Sequence, residues 1–223
     1  MNYRDYIVYD FETTSANPAT TQAVQIAAVA VNGRKLEIKE GSEFQSLIRP
    51  EFDPKECLAR GIDPLTQESI SIHGKTEEVL RDAPSPRSVW QNFAAYVNGH
   101  NYRKNDWNTP ISVGYNIDKF DSVIAARLCR EFGPEKDGRP SIFNRFYSVD
   151  LLPIMFCLFE NNTEVNSLSA DNLIRGHMGY AKGTAHDAMS DVIMTAEVFC
   201  RTQHHLRKFA SGITFKNSLK GFK

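Results

Sequence analysis

The sequence predicts an α/β fold, in which a mixed sheet of five strands is flanked by helices. Two observations predict this class. Short runs rich in β-branched and aromatic residues alternate with amphipathic segments, in the order three strands, helix, strand, helix, strand and a helical end. The length of 223 residues suits one domain with a substantial core, and the sequence shows no internal repeat.

The first three strands are predicted within the first 50 residues. Residues 6–11 form an aromatic and β-branched run that is typical of a buried strand. Residues 23–31 form a second strand, and the Asn-Gly pair after it is a hairpin turn signal. Residues 43–48 form a third, which ends before a proline. Segment 51–74 contains two prolines and two glycines, and it is predicted to be irregular or broken helix.

The second half alternates helices with strands. Apolar residues at helical spacing predict a helix over 87–98, and a short strand follows at 111–115. A further helix is predicted around 123–132, and a strand at 146–150. The last clear amphipathic helix covers 188–199.

Composition excludes several classes of protein. The chain has 26 basic and 27 acidic residues, a formal net charge of −1, which argues against bulk electrostatic coating of nucleic acid but allows a local basic groove. No apolar run approaches the roughly 20 residues of a membrane helix, and no signal peptide is expected. The four cysteines form no C-x-x-C pair, which predicts buried, reduced thiols and no zinc site. We therefore expect a cytoplasmic protein, in the host cytoplasm if it is viral.

Asp10 and Glu12 are the first candidate functional residues. Residues two apart on a strand point to one face, so the two carboxylates would repel each other. A divalent cation, which prefers oxygen ligands, would relieve that repulsion. The alternative is that Glu12 lies in solvent just past the strand end.

Asp121 is the second candidate. It follows a strand and a turn and opens the next predicted helix. An acid there complements the helix dipole, so a plain helix N-cap is the alternative to metal binding.

His186 and Asp191 form the third candidate pair. Their separation of five residues is about 140° around an α-helix, so they would not share a helix face. They converge if His186 lies on the loop before the helix, where Gly183 and Thr184 support a loop, and Asp191 lies one turn inside it. The alternative places both side chains on the surface.

Together the three motifs, D-x-E, N-x-x-x-F-D and H-x-x-x-x-D, resemble in their order the DEDDh exonucleases, the DnaQ-like group of the ribonuclease H-like superfamily. The resemblance runs from Tyr6 to about Arg201 and is strongest to the nuclease domain of bacterial exonuclease I and to small stand-alone viral exonucleases. Segments Gly114-Tyr115-Asn116 and 185–192 carry it most clearly. Exonuclease I has further C-terminal domains, for which we expect no room in this chain.

The resemblance implies a ribonuclease H-like fold and a two-metal mechanism. Asp10, Glu12, Asp121 and Asp191 would hold two Mg²⁺ or Mn²⁺ ions, and His186 would act as the general base. Histidine can accept a proton near pH 7, which suits this role.

The resemblance also suggests substrate contacts. The backbone after Glu12 would meet the 3′ end of the substrate, and aromatic side chains would stack on terminal bases; core packing is the alternative for the aromatic residues. The candidates are Phe11, Thr13, Thr14, His73, Tyr115, Asn116 and Phe120.

The implied function is a metal-dependent 3′–5′ exodeoxyribonuclease that releases nucleoside monophosphates from single-stranded or frayed DNA 3′ ends. It would work alone or as a separate proofreading subunit with a polymerase as partner. The alternatives are an oligoribonuclease-like RNA exonuclease and a non-catalytic nucleic-acid-binding module. The complete set of acids argues against the last, because a binding module has no evident need to keep like charges together.

Residues 1–205 are predicted to form the exonuclease domain and 206–223 a basic C-terminal tail. The chain after Arg201 has basic residues and no acidic ones. It is interpreted as a solvated tail, or alternatively as an arm that contacts phosphates or a partner.

Overall fold

The structure, a computed structural model, describes residues 3–136, 139–140, 142–180 and 186–212. Within these ranges a six-stranded mixed sheet lies between two helical layers, and two further strands pair with each other in a separate small sheet. The strands are β1 (Tyr6–Thr13), β2 (Ala23–Asn32), β3 (Glu37–Ile38), β4 (Phe44–Leu47), β5 (Ile111–Gly114), β6 (Glu135–Lys136), β7 (Arg139–Pro140) and β8 (Ser148–Asp150). The helices are α1 (Pro54–Arg60), α2 (Gln67–His73), α3 (Glu77–Arg81), α4 (Pro86–Gly99), α5 (Asp121–Phe132), α6 (Leu151–Phe159) and α7 (Ala188–Ser211), with a 3-10 helix (Asp106–Asn108) and a π-helix (Asp171–His177).

The strand order of the sheet is β3-β2-β1-β5-β8, and β4 also pairs with β2. β1 is antiparallel to β2 and parallel to β5, while β5 is parallel to β8. The carboxyl ends of β1, β5 and β8 therefore lie at the same end of the sheet, and so do the residues that follow them.

Alternating side chains of β1 enter two different cores. Ile7 and Tyr9 pack on one face of the sheet with α4 and α5, whereas Val8 packs on the other with α6, the π-helix and α7. β2 is buried along its length up to Asn32, which explains its near-continuous apolar sequence. The sheet is thus covered on both faces, and its strand ends are where polar residues can gather.

Two glycines permit close approaches of the backbone. A Cβ on Gly33, in the turn after β2, would lie 1.6 Å from the carbonyl oxygen of Arg4. A Cβ on Gly114, at the end of β5, would lie 2.7 Å from Cδ1 of Ile117. The second glycine allows the chain to turn sharply from β5 toward the start of α5.

The predicted order of strands and helices is confirmed, with differences at several elements. The short strand β3 brings the sheet to six strands rather than five. The strand predicted from residue 146 begins only at Ser148, because the amides of Phe146 and Tyr147 both donate to Oδ1 of Asn144 and turn the chain. The broken helix predicted over 51–74 is α1 and α2.

The last helix extends further than predicted. α7 continues through Ser211, so residues 206–211 of the predicted tail are helical, and 213–223 lie outside the described residues. All four cysteines have free thiols, and of these Cys157 is exposed rather than buried. Of the helices in the described ranges, none has both the length and the apolar character to cross a membrane.

Candidate active site

β1 carries Asp10 and Glu12 at its carboxyl-terminal half, on the same face of the strand. Asp10 is half-buried and Glu12 is 8% exposed. The pairing of β1 with β2 shifts register between Glu12 and Thr13, so the regular hydrogen-bonded pairing of β1 ends at Glu12. Both acids therefore lie where β1 leaves the sheet, and Glu12 is not a solvated residue past the strand end.

Asp121 is the first residue of α5 and is 3% exposed. Its Oδ1 accepts a hydrogen bond of 3.1 Å from the backbone N–H of Phe11, the residue between the two acids of β1. Phe120 occupies the N-cap position and makes no side-chain cap. Asp121 is thus not a plain N-cap, because its carboxylate joins the start of α5 to β1.

His186 and Asp191 meet at the start of α7. Asp187 is the N-cap, and its Oδ2 accepts from the N–H of Ser190 at 3.3 Å and from its hydroxyl at 3.0 Å. His186 precedes this cap with φ of 60°, and its backbone N–H donates to Oδ2 of Asp191 at 3.0 Å. The pair converges in the predicted way, although Gly183 and Thr184 lie outside the described residues.

Electrostatic interactions link the four carboxylates. Burial raises the pKa of Asp10 well above its ordinary value, and repulsion from Asp121, Glu12 and Asp191 raises it further. Burial also raises the pKa of Glu12 to about 8, with repulsion from Asp191 adding to the shift and Lys75 opposing it. The chain therefore brings the four acids into one anionic site.

The other two acids are affected in the same direction. Burial raises the pKa of Asp121 to about 7, although the hydrogen bond from Phe11 N–H opposes the shift. Burial likewise raises the pKa of Asp191, against hydrogen bonds from Arg175 and from the N–H of His186. Such shifts are typical of functional carboxylate clusters.

Two basic residues that the sequence did not reveal partly compensate this charge. Arg175, on the π-helix, donates to Oδ1 of Asp191 at 2.5 Å, and its Nε lies 3.3 Å from Oδ1 of Asp171. Nζ of Lys75, after α2, lies 3.7 Å from Oδ1 of Asp187. Asp171 also approaches the imidazole, with Oδ2 3.6 Å from Nε2 of His186. The motif pattern gives no signal for the contacts of Arg175 with Asp191, of Lys75 with Asp187 and of Asp171 with His186, because each of them joins separate elements.

The donor set suits a divalent metal ion, since carboxylate oxygens are the ligands that Mg²⁺ and Mn²⁺ prefer. Among the described residues, however, no three His, Cys, Asp or Glu side chains are already arranged around one possible ion position. The carboxylates of Asp121 and Asp191 are instead engaged by protein donors. Metal binding would require these side chains to reorient.

The predicted aromatic contacts are partly or fully buried. Phe11 is 4% exposed, and Phe120 packs against the same core on the α4 and α5 side. Tyr115 packs against the opposite core, and its hydroxyl donates to the carbonyl of Leu168. Core packing accounts for the two phenylalanines, and a stacking role for any of the three stays a prediction.

The predicted polar contacts lie around the end of β1 and β5. Thr13 donates to the carbonyl of Ser15 at 2.9 Å, and the buried Thr14 donates to the carbonyl of Asp63 at 3.0 Å. The N–H of Asn116 donates to Oδ1 of Asp150 at 2.9 Å. These contacts fix the loops around the acids, and the role of Thr13, Thr14 and Asn116 toward a substrate stays a prediction.

His73, at the end of α2, is buried. Its Nδ1 accepts from the N–H of Lys75 at 2.9 Å. Burial, with the nearby Lys75 charge, lowers its pKa to about 4, so the ring is neutral near pH 7. Its role as a substrate contact stays a prediction, in which the ring would act as a neutral imidazole.

The mixed sheet, with acids at the carboxyl ends of its parallel strands, is the arrangement expected from the resemblance to ribonuclease H-like exonucleases. A family model of exonucleases, RNase_T, matches residues 7–199. The chain belongs to this exonuclease family, which confirms the predicted DnaQ-like 3′–5′ exonuclease class.

Relatives and solved structures agree with this assignment. The DNA polymerase III PolC-type protein of Thermotoga maritima is 23% identical over 98% of this chain and 13% of its own length. The DNA polymerase III subunit epsilon of Pasteurella multocida is 32% identical over 52% of this chain and 42% of its own length. The solved structure of E. coli exonuclease I in complex with a dT13 oligonucleotide is similar to this chain, with a TM-score of 0.68 and 19% sequence identity. The similarity covers 92% of this chain and 43% of the exonuclease I chain. The chain thus spans less than half the length of each of these proteins.

Proposed function

We propose that the chain is a divalent-metal-dependent 3′–5′ exodeoxyribonuclease, which releases nucleoside monophosphates from single-stranded or frayed DNA ends. The observation that carries the proposal is the convergence of the four acids on one site, with His186 at its border. Membership of the exonuclease family supports the reaction class.

Asp10, Glu12, Asp121 and Asp191 are proposed to hold two ions of Mg²⁺ or Mn²⁺. Bound ions would supply positive charge at the attacked phosphate and at the attacking and leaving oxygens. Burial, and after it repulsion from neighbouring acids, raises the pKa of Asp10 and of Glu12, and divalent cations would stabilise the ionised carboxylates. For Asp191 to become a ligand, its ion pair with Arg175 has to open or rearrange.

His186 is proposed to take the proton of the attacking water. With Nε2 facing the carboxylate of Asp171, Nδ1 is the ring nitrogen left to accept the proton. The resulting imidazolium would be stabilised by Asp171, which therefore acts as a positioning residue. The backbone contact from His186 to Asp191 keeps this base beside the acids.

The relatives support the proposed substrate and partner. The solved structure of exonuclease I holds a DNA oligonucleotide, which supports DNA as the substrate here. The backbone at Thr13 and Thr14 is proposed to meet the 3′ end, with His73, Tyr115 and Asn116 as further contacts. The polymerase III relatives support a polymerase as a candidate partner, beside which the chain would act as a proofreading subunit.

A labelled-oligonucleotide assay tests the proposal. DNA and RNA oligonucleotides with 5′ labels are incubated with Mg²⁺, with Mn²⁺ or with chelator. We expect a descending DNA ladder that requires metal. His186→Ala and Asp191→Asn should each lower the rate at least about 100-fold, the scale of general acid–base and metal contributions, with unchanged circular dichroism.

Other outcomes would redirect the assignment. A ladder from RNA alone would favour the oligoribonuclease-like alternative, and binding without cleavage under any metal would favour the non-catalytic module. Wild-type rates in either folded variant would remove that residue from the mechanism. Asp82→Asn, which neutralises an exposed acid at the end of α3, serves as the matched control and should cleave at the wild-type rate.

A further inference from the structure

A cluster of aromatic and basic side chains lies at the end of the sheet opposite the acids. Its members are Arg4, Trp107, Arg145, Phe146 and Tyr147, which we name the aromatic–arginine surface. Arg4 comes just before β1, Trp107 shortly before β5, and the other three just before β8. They therefore gather at the amino ends of the three parallel strands.

The side chains of this surface are stacked on one another. The rings of Trp107 and Phe146 are 4.9 Å apart at an angle of 15°. The Arg145 guanidinium lies 4.4 Å from the centroid of Phe146, and that of Arg4 lies 5.8 Å from the centroid of Tyr147. Nε of Arg4 also donates to the carbonyl of Trp107, which fixes the loop to the start of β1. The stack is thus built into the fold before any ligand arrives.

The aromatic side chains remain exposed to solvent. Trp107 is 60% exposed, Tyr147 58% and Phe146 46%. Apolar side chains of this size are costly to leave in water, and such exposure in one contiguous cluster marks an interaction surface. Arg103 and Lys104, both exposed on the same loop as Trp107, add positive charge, and Asp106 is the nearby acid in the sequence.

Aromatic rings interleaved with arginines suit one class of partner in particular. Bases of a single strand stack on aromatic rings, and guanidinium groups pair with the phosphates between them. We infer that the aromatic–arginine surface binds single-stranded nucleic acid at a second site, apart from the proposed hydrolytic site.

The distance between the two sites sets the length of strand that reaches both. Arg4 and Asp10 are six residues apart along β1, or about 20 Å at about 3.3 Å per residue. At the spacing of about 3.4 Å per nucleotide of a B-DNA strand, about six nucleotides would span this distance. The second site would therefore hold the upstream part of a strand whose 3′ end lies among the acids.

Tryptophan fluorescence gives a direct test that needs no hydrolysis. The chain has two tryptophans, and Trp90 is buried, with Nε1 donating to the carbonyl of Gly133 at 2.7 Å. In chelator, an oligothymidylate of about 20 nucleotides should quench the fluorescence of Trp107, and Trp107→Phe should lose this change. Unchanged wild-type fluorescence at a saturating concentration of oligonucleotide would overturn the inference.

Affinities of variants give a second, independent test. Trp107→Ala should weaken binding of the 20-nucleotide strand about tenfold, since stacking of one base is worth that much. Arg145→Gln should weaken it and reduce the slope of log affinity against log salt by about 1, because one phosphate contact is lost. Hydrolysis of a strand of about four nucleotides should be unchanged in both variants.

Matched controls separate this surface from general effects. Phe209→Ala removes an exposed aromatic residue of α7, and Arg81→Gln removes an exposed arginine of α3. Neither should change the affinity or its salt dependence. Equal affinities of wild type, Trp107→Ala and Arg145→Gln would overturn the inference and leave the surface to a protein partner. Because binding is measured in chelator, this failure is distinct from failure of the proposed exonuclease activity.

Discussion

Asp10 is a buried acid whose pKa is raised first by burial and then by repulsion from the other three proposed ligands, Asp121, Glu12 and Asp191. We predict that Asp10→Asn abolishes most DNA hydrolysis and at the same time raises the melting temperature of the metal-free protein near pH 8. The substitution keeps the shape of the side chain and removes one of the like charges. Thermal unfolding in chelator, beside the cleavage assay, measures both effects.

The comparison with an isolated acid makes this prediction specific. Asp82→Asn changes the net charge by the same amount at an exposed position, and it should leave both rate and melting temperature unchanged. A lower melting temperature for Asp10→Asn than for wild type would show that the acids do not strain the metal-free protein.

Asp5, just before β1, is a buried acid whose pKa is lowered, whereas the pKa of Asp10 is raised. Burial alone would raise its pKa, but its polar neighbours His100, Lys39 and Tyr102 outweigh this and lower the pKa to about 2. Of these, Nζ of Lys39 donates to Oδ2 of Asp5 at 3.0 Å. Because the pKa is lower in the folded chain than in the unfolded one, the stabilisation is complete above about pH 4 and is lost as the pH falls toward 2. It amounts to about 2–3 kcal/mol.

Asp5→Asn should therefore lower the free energy of unfolding near pH 7 by about that amount and flatten its fall between pH 4 and pH 2. Urea unfolding at a series of pH values measures this dependence. If the free energy of unfolding of the variant falls between pH 4 and pH 2 as steeply as that of the wild type, groups other than Asp5 cause the loss of stability in acid.

At the residue scale, the sequence predicted the acids and the histidine but not their compensating neighbours. Each acid lies in a short motif at a strand end or helix start, where local spacing limits its direction. Arg175 is separated from Asp191 by 16 residues and reaches it from a π-helix that no periodicity marks. Its contact depends on how two elements pack, which local pattern does not contain.

At the scale of elements, hydrophobic periodicity predicted the helices that bury one face, and it missed elements that are apolar all round or too short to show a period. α4 and α5 are amphipathic and were predicted close to their observed ends. α6 is apolar on every side, since its nine residues are LLPIMFCLF, so no helical period appears in it. Strand β3 has two residues, too few for any alternation.

The start of α7 couples helix stability to the site. Asp187→Ala removes the N-cap of this helix and should lower the free energy of unfolding by about 1 kcal/mol. It should lower the hydrolysis rate by more than this loss of stability explains, because Asp191 and His186 are both oriented by the first turn. Asp187→Ser keeps a cap and should restore most of the stability.

The N-cap of α1 provides the matched control for this prediction. Oδ1 of Asp53 accepts from the N–H of Lys55 at 2.9 Å in the same type of cap, on a different helix. Asp53→Ala should cost a similar free energy and leave the rate constant unchanged. Equal losses of rate in the two alanine variants would show that the cap acts only through global stability.

At the scale of the whole molecule, the net charge is near zero, but one end of the sheet is acidic and the other carries arginines. Acids gather at the carboxyl ends of β1, β5 and β8, and the aromatic–arginine surface lies at their amino ends. The sequence predicted the first end, because its residues belong to motifs. The second depends on loops before three separate strands, which come together only in the sheet.

Because the acid site draws on β1, α5 and α7, metal binding should stabilise the whole fold. At a concentration 100 times the dissociation constant, Mg²⁺ or Mn²⁺ should raise the free energy of unfolding by about 2.7 kcal/mol. Asp191→Asn should lose most of this gain, whereas Asp82→Asn should keep it. Chemical unfolding followed by the fluorescence of the buried Trp90, in a Trp107→Phe background, measures the gain without hydrolysis. Equal stabilisation of wild type and Asp191→Asn would place the metal elsewhere and remove Asp191 from its ligands.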